Sequence, residues 1–127
     1  MAEAITVDSF RKRLAKHMAD NSTVAPIAFI AFGDGGHNAL TNIPIPPSVL
    51  ATGLTHELLR KAPVVITQED LFSVTCKGRV EATELIGYAL SEAAVFDSAG
   101  LLIGIKTFAP KYKESDEYYE VSIKIRF

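Results

Sequence analysis

Much that would announce a function is missing from this sequence. Cys76 is the only cysteine among 127 residues, so no disulfide can form within the chain, and packing alone must stabilise the fold. No apolar run approaches the roughly 20 residues needed to cross a bilayer. The opening stretch MAEAITVDSFRKRL has no apolar core of the kind a secretory signal requires. These two absences predict no membrane partner and folding in a reducing cytoplasm. Thirteen basic residues stand against fifteen acidic ones, a formal charge of −2, which argues against broad nucleic-acid binding. No internal repeat or low-complexity tract is present. No nucleophile elbow, paired catalytic carboxylates or zinc spacing is found. The three histidines, His17, His37 and His56, show no metal-ligand spacing.

What is present suits one domain spanning residues 1–127. An apolar fraction of 48% is ample for a core. In TVDSFRKRLAKHMADN, the residues Val7, Phe10, Leu14 and Met18 recur at spacings of three and four, the stripe of an amphipathic helix. Thr6 or Asp8 is expected to cap its start, and Asn21 with Ser22 its end. Arg11, Lys12, Arg13, Lys16 and His17 form the opposite face, read as a solvated surface. VAPIAFIAF is apolar on both parities and predicts a strand covered on both sides. NIPIPPSVLATGL holds Pro44, Pro46 and Pro47 and must be extended or irregular. THELLRK fits either a short helix capped by Thr55 or the start of a strand running on through APVVIT.

The second half reads as strands. In LFSVTCKGRVEA, Phe72, Val74, Cys76 and Val80 share one parity, with Ser73, Thr75, Lys77 and Arg79 on the other. Cys76 therefore reads as an inert core thiol. GYALSEAAVFDSAGLLIGIKTF predicts a hairpin turning at Asp97, Ser98, Ala99 and Gly100. KYKESDE is charged and expected to be exposed. In the last stretch Tyr119, Val121, Ile123, Ile125 and Phe127 alternate with polar residues. The fold class is α+β: one N-terminal helix packed on a mainly antiparallel β-sheet or small β-sandwich.

Two features invite chemistry. The first is GDGGHN, residues Gly33, Asp34, Gly35, Gly36, His37 and Asn38, directly after an apolar strand. It lacks the spacing and the Lys-Ser/Thr pair of a phosphate loop, and it lacks the alternating acids of a calcium loop. Asp34, His37 and Asn38 are candidate cation ligands. The competing reading is a tight turn in which glycine supplies permissive backbone angles. The second is Glu92, which shares parity with Tyr88, Leu90, Ala94 and Phe96. A buried carboxylate needs a partner. The prediction is an arginine, Arg60 before Arg79, with Glu92→Ala costing roughly 3–5 kcal/mol.

Taken in order, these pieces resemble the N-terminal domain of the phage tail-fibre (tail-collar fibre) family. FGDGG after a strand is followed by TGLTHELLR, by LSEAAVFDSAGLLIG and by KYK before a closing strand. The positions that carry the resemblance are Gly33 to Gly36, Leu54, Glu57, Arg60, Glu92, Phe96, Asp97, Gly100, Leu101, Ile103, Tyr112 and Lys113. Ala93, Ala94 and Val95 depart from the Gly-Leu pair usual after the family's glutamate. A typical fibre protein continues into a shaft and a receptor-binding tip, whereas this sequence stops at Phe127. The resemblance implies attachment of tail fibres at a baseplate in the virion tail, assembled in the bacterial host cytoplasm. It also implies partners among other tail or baseplate proteins, a homo-oligomer that is a trimer by the family's pattern, no cofactor, no metal and no turnover. Gly33, Asp34, Gly35, Gly36, Glu57, Arg60, Glu92, Asp97 and Gly100 then read as structural. Ile43, Ile45, Val49 and Leu50 are candidate interface residues, with a loop strapped across the domain's own core as the other reading. The alternative class is a small hydrolase or ligand-binding domain using Asp34, His37 and Glu92, and a third is an assembly chaperone or adaptor.

Overall fold

A computed structural model describes residues 4–127. The chain runs β1 (Ile5–Thr6), α1 (Asp8–Asp20), β2 (Ile27–Gly33), β3 (Glu57–Lys61), β4 (Val65–Asp70), β5 (Ser73–Val80), β6 (Ala89–Asp97), β7 (Leu102–Tyr112) and β8 (Tyr119–Arg126). A five-stranded sheet has the order β1-β7-β6-β2-β3, and a three-stranded sheet the order β4-β5-β8; every pairing is antiparallel. The expected α+β class, with its single helix at the N-terminal side, is what the chain adopts.

The two sheets share one core. Ile30 and Phe32 of β2, Val95 of β6, Cys76 and Val80 of β5, and Ile123 and Ile125 of β8 are all fully buried in it. The sheets come close at Gly78, where a Cβ would lie 2.5 Å from Ile30 Cγ2 and 2.9 Å from the Phe32 ring. β2 is central in its sheet, and Ala31 on the face opposite Ile30 and Phe32 is fully buried as well. The strand pairs with β6 on one side and β3 on the other, with the small sheet over one face. Burial raises the Cys76 thiol to about 11, so it stays protonated and unreactive at neutral pH.

Helix α1 follows the expected stripe for half its length. Phe10 is buried, and Leu14 packs against the core from its margin. Met18 is exposed, because the helix runs past the sheet that its first turns cover. Neither expected residue caps the helix. Val7 is the N-cap and no side chain caps it. Thr6 instead belongs to β1 and donates its hydroxyl to the Arg126 carbonyl (3.1 Å), while Asp8 is already helical, where its charge favours the positive end of the helix dipole. Asn21 closes the helix in the left-handed region (φ 61°), its N–H donating to the His17 carbonyl. Arg13 is not simply solvated. It donates to the Leu102 carbonyl (2.8 Å) and lies 3.5 Å from the Asp97 carboxylate, clipping the helix to the β6–β7 turn.

That turn forms as expected. The Asp97 carboxylate accepts the amides of Ala99 and Leu101, both at 2.9 Å, and Gly100 has a φ of 82°. THELLRK resolves in favour of a strand, but not a continuous one. β3 ends at Lys61, and after Pro63 the chain joins the other sheet as β4. Three further expectations fail at strand ends. Phe72 lies beyond the start of β5 and is 73% exposed, and Phe127 is exposed past β8. Lys113, expected in solvent, is buried. Its ammonium donates to the carbonyls of Ala82 (3.2 Å) and Glu114 (2.8 Å), because the 81–88 loop folds over it and bonds its backbone.

Candidate functional site

Glu92 sits on β6 between Gly33 of β2 and Thr107 of β7, beside an irregularity in the β6–β7 ladder. The side chain is completely buried. Its carboxylate accepts three backbone amides: Gly35 at 3.0 Å, Thr55 at 2.9 Å and His56 at 2.8 Å. Charge-assisted bonds of this kind are roughly twice as strong as neutral ones. The burial predicted for Glu92 is correct, and the arginine partner is not. Arg60 pairs with Glu57 through Nε (3.0 Å) and Nη2 (2.8 Å), and its guanidinium lies 3.7 Å above the centre of the Phe96 ring. Arg79 pairs with Glu120. Two loops already aim their N–H groups at Glu92, so backbone dipoles do what a cation would do.

The glycines follow from this clamp. A Cβ on Gly33 would stand 2.4 Å from the His56 carbonyl and 2.6 Å from Glu92 Oε2. On Gly35 it would stand 2.7 Å from Thr55 Cβ. Gly36 has a φ of 72°, and a Cβ there would meet Thr107 at 2.9 Å. The Gly-Asp-Gly-Gly run wraps a buried carboxylate so closely that side chains are excluded.

The polar residues of the loop do not converge. Asp34 points outward and pairs with His56. Asn38 accepts the amides of Leu40 (2.8 Å) and Thr41 (3.2 Å) and shapes a local turn. His37 Nδ1 lies 2.9 Å from Ser91 Oγ. The Ser91 hydroxyl donates its proton to the Gly35 carbonyl, so His37 must be the donor to Ser91. Among the described residues no cluster of three histidine, cysteine or acidic side chains is placed to hold a metal. Every buried side-chain polar atom described has a hydrogen-bond partner.

The proline-rich segment lies as a strap over this loop. Ile45 N–H donates to the Gly36 carbonyl (2.8 Å), Thr107 Oγ1 donates to the Ile45 carbonyl (2.9 Å), and Asp8 N–H donates to the Val49 carbonyl (2.8 Å). Ala51 and Leu54 pack against the core. Ile43, Ile45, Val49 and Leu50 are exposed, as is Leu40 (95%), and Ile45 also lines the cleft beneath the strap. The strap reading of the segment therefore holds, and its apolar side chains remain exposed. Beneath it lies a cleft of about 370 Å³ lined by Gly36, His37, Pro46, Ser48, Thr55 and Thr107, with Glu92 at its base; Asp34 takes no part.

Sequence reasoning missed Ser91, Leu40 and the amides of Thr55 and His56. The Ser91 hydroxyl and Leu40 were visible residues without a pattern. The amides carry no side-chain signature, and only the fold brings them to Glu92. No protein-family model, curated protein or solved structure matches this chain.

The Asp34–His56 pair gives a pH prediction. Hydrogen bonding to the Asp34 carboxylate, with its charge close by, holds the His56 imidazole above its ordinary 6.5. A raised histidine pKa stabilises the fold fully below the unfolded value, and that contribution is lost as pH rises through the folded value. We expect Asp34→Asn to move the His56 titration, followed by NMR of its ring protons, back toward 6.5. An unchanged midpoint would mean that the pair does not form in solution.

Proposed function

We propose that this chain is a phage or phage-like tail structural protein that attaches or organises tail fibres at the baseplate through protein–protein contacts. The observation that carries this reading is the strap. Five large apolar side chains, Leu40, Ile43, Ile45, Val49 and Leu50, are exposed along a segment whose backbone is fastened to the glycine loop at Gly36, to β7 at Thr107 and to the start of α1 at Asp8. Large apolar side chains left exposed along one anchored segment are a feature of interaction sites. The ordered motif resemblance supplies the class of partner, a tail or baseplate component, and the location, a virion tail assembled in the host cytoplasm.

The inward use of the polar groups favours assembly over hydrolysis. Ser91 is fully buried with its proton committed to Gly35, so His37 is not poised to activate it. Glu92 spends its oxygens on three amides.

The test is capture of baseplate proteins from disassembled contractile-tail particles of the source's own phage or prophage by the immobilised protein. The wild-type chain retains a tail component, and the double variant Ile43→Asp, Leu50→Asp loses it by at least tenfold while keeping its thermal midpoint. Capture of nothing from the particles, or equal capture by the double variant, would overturn the reading. Mass spectrometry of intact particles separates a structural component, which is present, from an assembly chaperone, which is absent.

A further inference from the structure

The three-stranded sheet ends at β8, and no strand pairs with the outer side of β8. Its pairing with β5 is unbroken from Tyr119 to Arg126, so its backbone groups alternate between the two sides. The Phe127 amide donates to the Phe72 carbonyl on the β5 side, whereas side chains reach the Ser122 and Arg126 carbonyls from the other side. The even-numbered residues of β8 therefore direct their N–H and C=O groups away from β5. At Arg126 the edge is covered, because Thr6 of β1 donates its hydroxyl to the Arg126 carbonyl (3.1 Å). Along residues 119–122 it borders a cleft of about 290 Å³, whose far wall is Lys106 and Phe108 of β7. The Lys106 ammonium donates across this cleft to the Ser122 carbonyl at 3.3 Å, an acceptor that a paired strand would use. A strand edge with open main-chain groups is a template for an added strand.

The cleft carries positive charge without an acid to match it. Lys106 and Lys111 have no ion-pair partner among the described residues. Burial holds the Lys106 ammonium below its ordinary range, the mark of a charge partly stripped of water. Lys111 lies 4.5 Å from the centre of the Tyr119 ring. Glu120, the acid on the cleft, is already bonded by Arg79 through Nε (3.0 Å) and Nη2 (2.7 Å). Phe108 and Tyr119, with ring centres 6.4 Å apart, make the cleft apolar at one end. Lys106 and Phe108 stand two residues apart on the same side of β7, which is the side-chain period of a strand. A strand laid along β8 would set one side chain against the two rings and the next of the same parity beside Lys106.

We propose that the outer edge of β8 takes up an extended segment of a partner polypeptide with the pattern apolar, any residue, acidic. The segment pairs through its main chain with Glu120 and Ser122, its apolar side chain lies against Phe108 and Tyr119, and its carboxylate lies on Lys106. Lys106 then releases the Ser122 carbonyl, which accepts an N–H of the added strand. The site shares no residue with the cleft under the strap, and it does not depend on the attachment role.

The probe is a synthetic peptide, fluorescein-Thr-Ile-Thr-Asp-Thr-Ile-amide, which presents the pattern in either strand direction. Fluorescence anisotropy should give a Kd between about 10 µM and about 1 mM, as suits a short contact. Lys in place of the peptide's Asp weakens binding about tenfold, and Lys106→Glu in the protein restores it. Main-chain N-methylation separates strand pairing from binding through side chains alone. Methylating all the Thr nitrogens and methylating all the others, in two further peptides, must have opposite effects, because only one set faces β8: one peptide loses binding and the other keeps it. In an NMR titration with the unmethylated peptide, the amide signals of Glu120 and Ser122 move more than that of Val121, whose N–H faces β5. No binding at about 1 mM, equal effects of the two methylations, or amide shifts confined to β4 would overturn the proposal.

Discussion

Urea unfolding of the Glu92→Ala variant should show a loss of roughly 3–5 kcal/mol relative to the wild type. The reason differs from the one the sequence suggested. No arginine is stranded. Instead the amides of Gly35, Thr55 and His56 lose their common acceptor inside the fold. Each unsatisfied buried donor costs about 1–3 kcal/mol, and water entering from the adjoining cleft offsets part of the sum. Glu92→Gln separates geometry from charge. Its carbonyl can replace Oε2 and keep Gly35 and His56, while its NH₂ group must face the Thr55 N–H, donor against donor. A loss near half that of the alanine variant is expected. If Glu92→Ala unfolds within about 1 kcal/mol of the wild type, the carboxylate does not organise the two loops.

Gly33→Ala is the second large effect, expected to cost about 3 kcal/mol or more. The added methyl would meet the His56 carbonyl at 2.4 Å and Glu92 Oε2 at 2.6 Å. A backbone carbonyl cannot rotate away as a surface side chain can, so β2 and β3 must separate or the clamp must open. Gly53→Ala is the control, because nothing lies within 4 Å of a Cβ there. Its stability should stay within about 0.5 kcal/mol of the wild type. Equal effects for the two substitutions would show that the glycine run is not kept by close approach.

Alternation made the closing strand readable from sequence, since it buries one parity, and the distinctive chemistry of the Asp97 turn made the large hairpin readable although β6 is buried on both faces. The sequence allowed one sheet or a small sandwich, but where the chain changes sheet was not readable. Nothing local says that the chain leaves one sheet at Lys61 and joins the other at Val65. Position along an element was also hidden. Phe72, Phe127 and Met18 keep the right periodicity yet fall beyond the neighbouring layer, so pattern without length overstates burial. At the site, the isolation of Glu92 on an apolar strand foretold burial. Its ligands were unreadable because they are main-chain groups from segments far apart in sequence. Lys113 was misread for a related cause: its acceptors are carbonyls, which every residue has.

The clamp has a bearing on motion. Gly35 lies just before the strap, and Thr55 and His56 just after it, yet all three answer to one side chain. Their amide protons should therefore exchange with deuterium at nearly the same rate, set by a single opening event, although they stand far apart along the chain. The exposed isoleucines and leucines between them would be released in that same event, so whatever grips them also slows the exchange of protons it never touches.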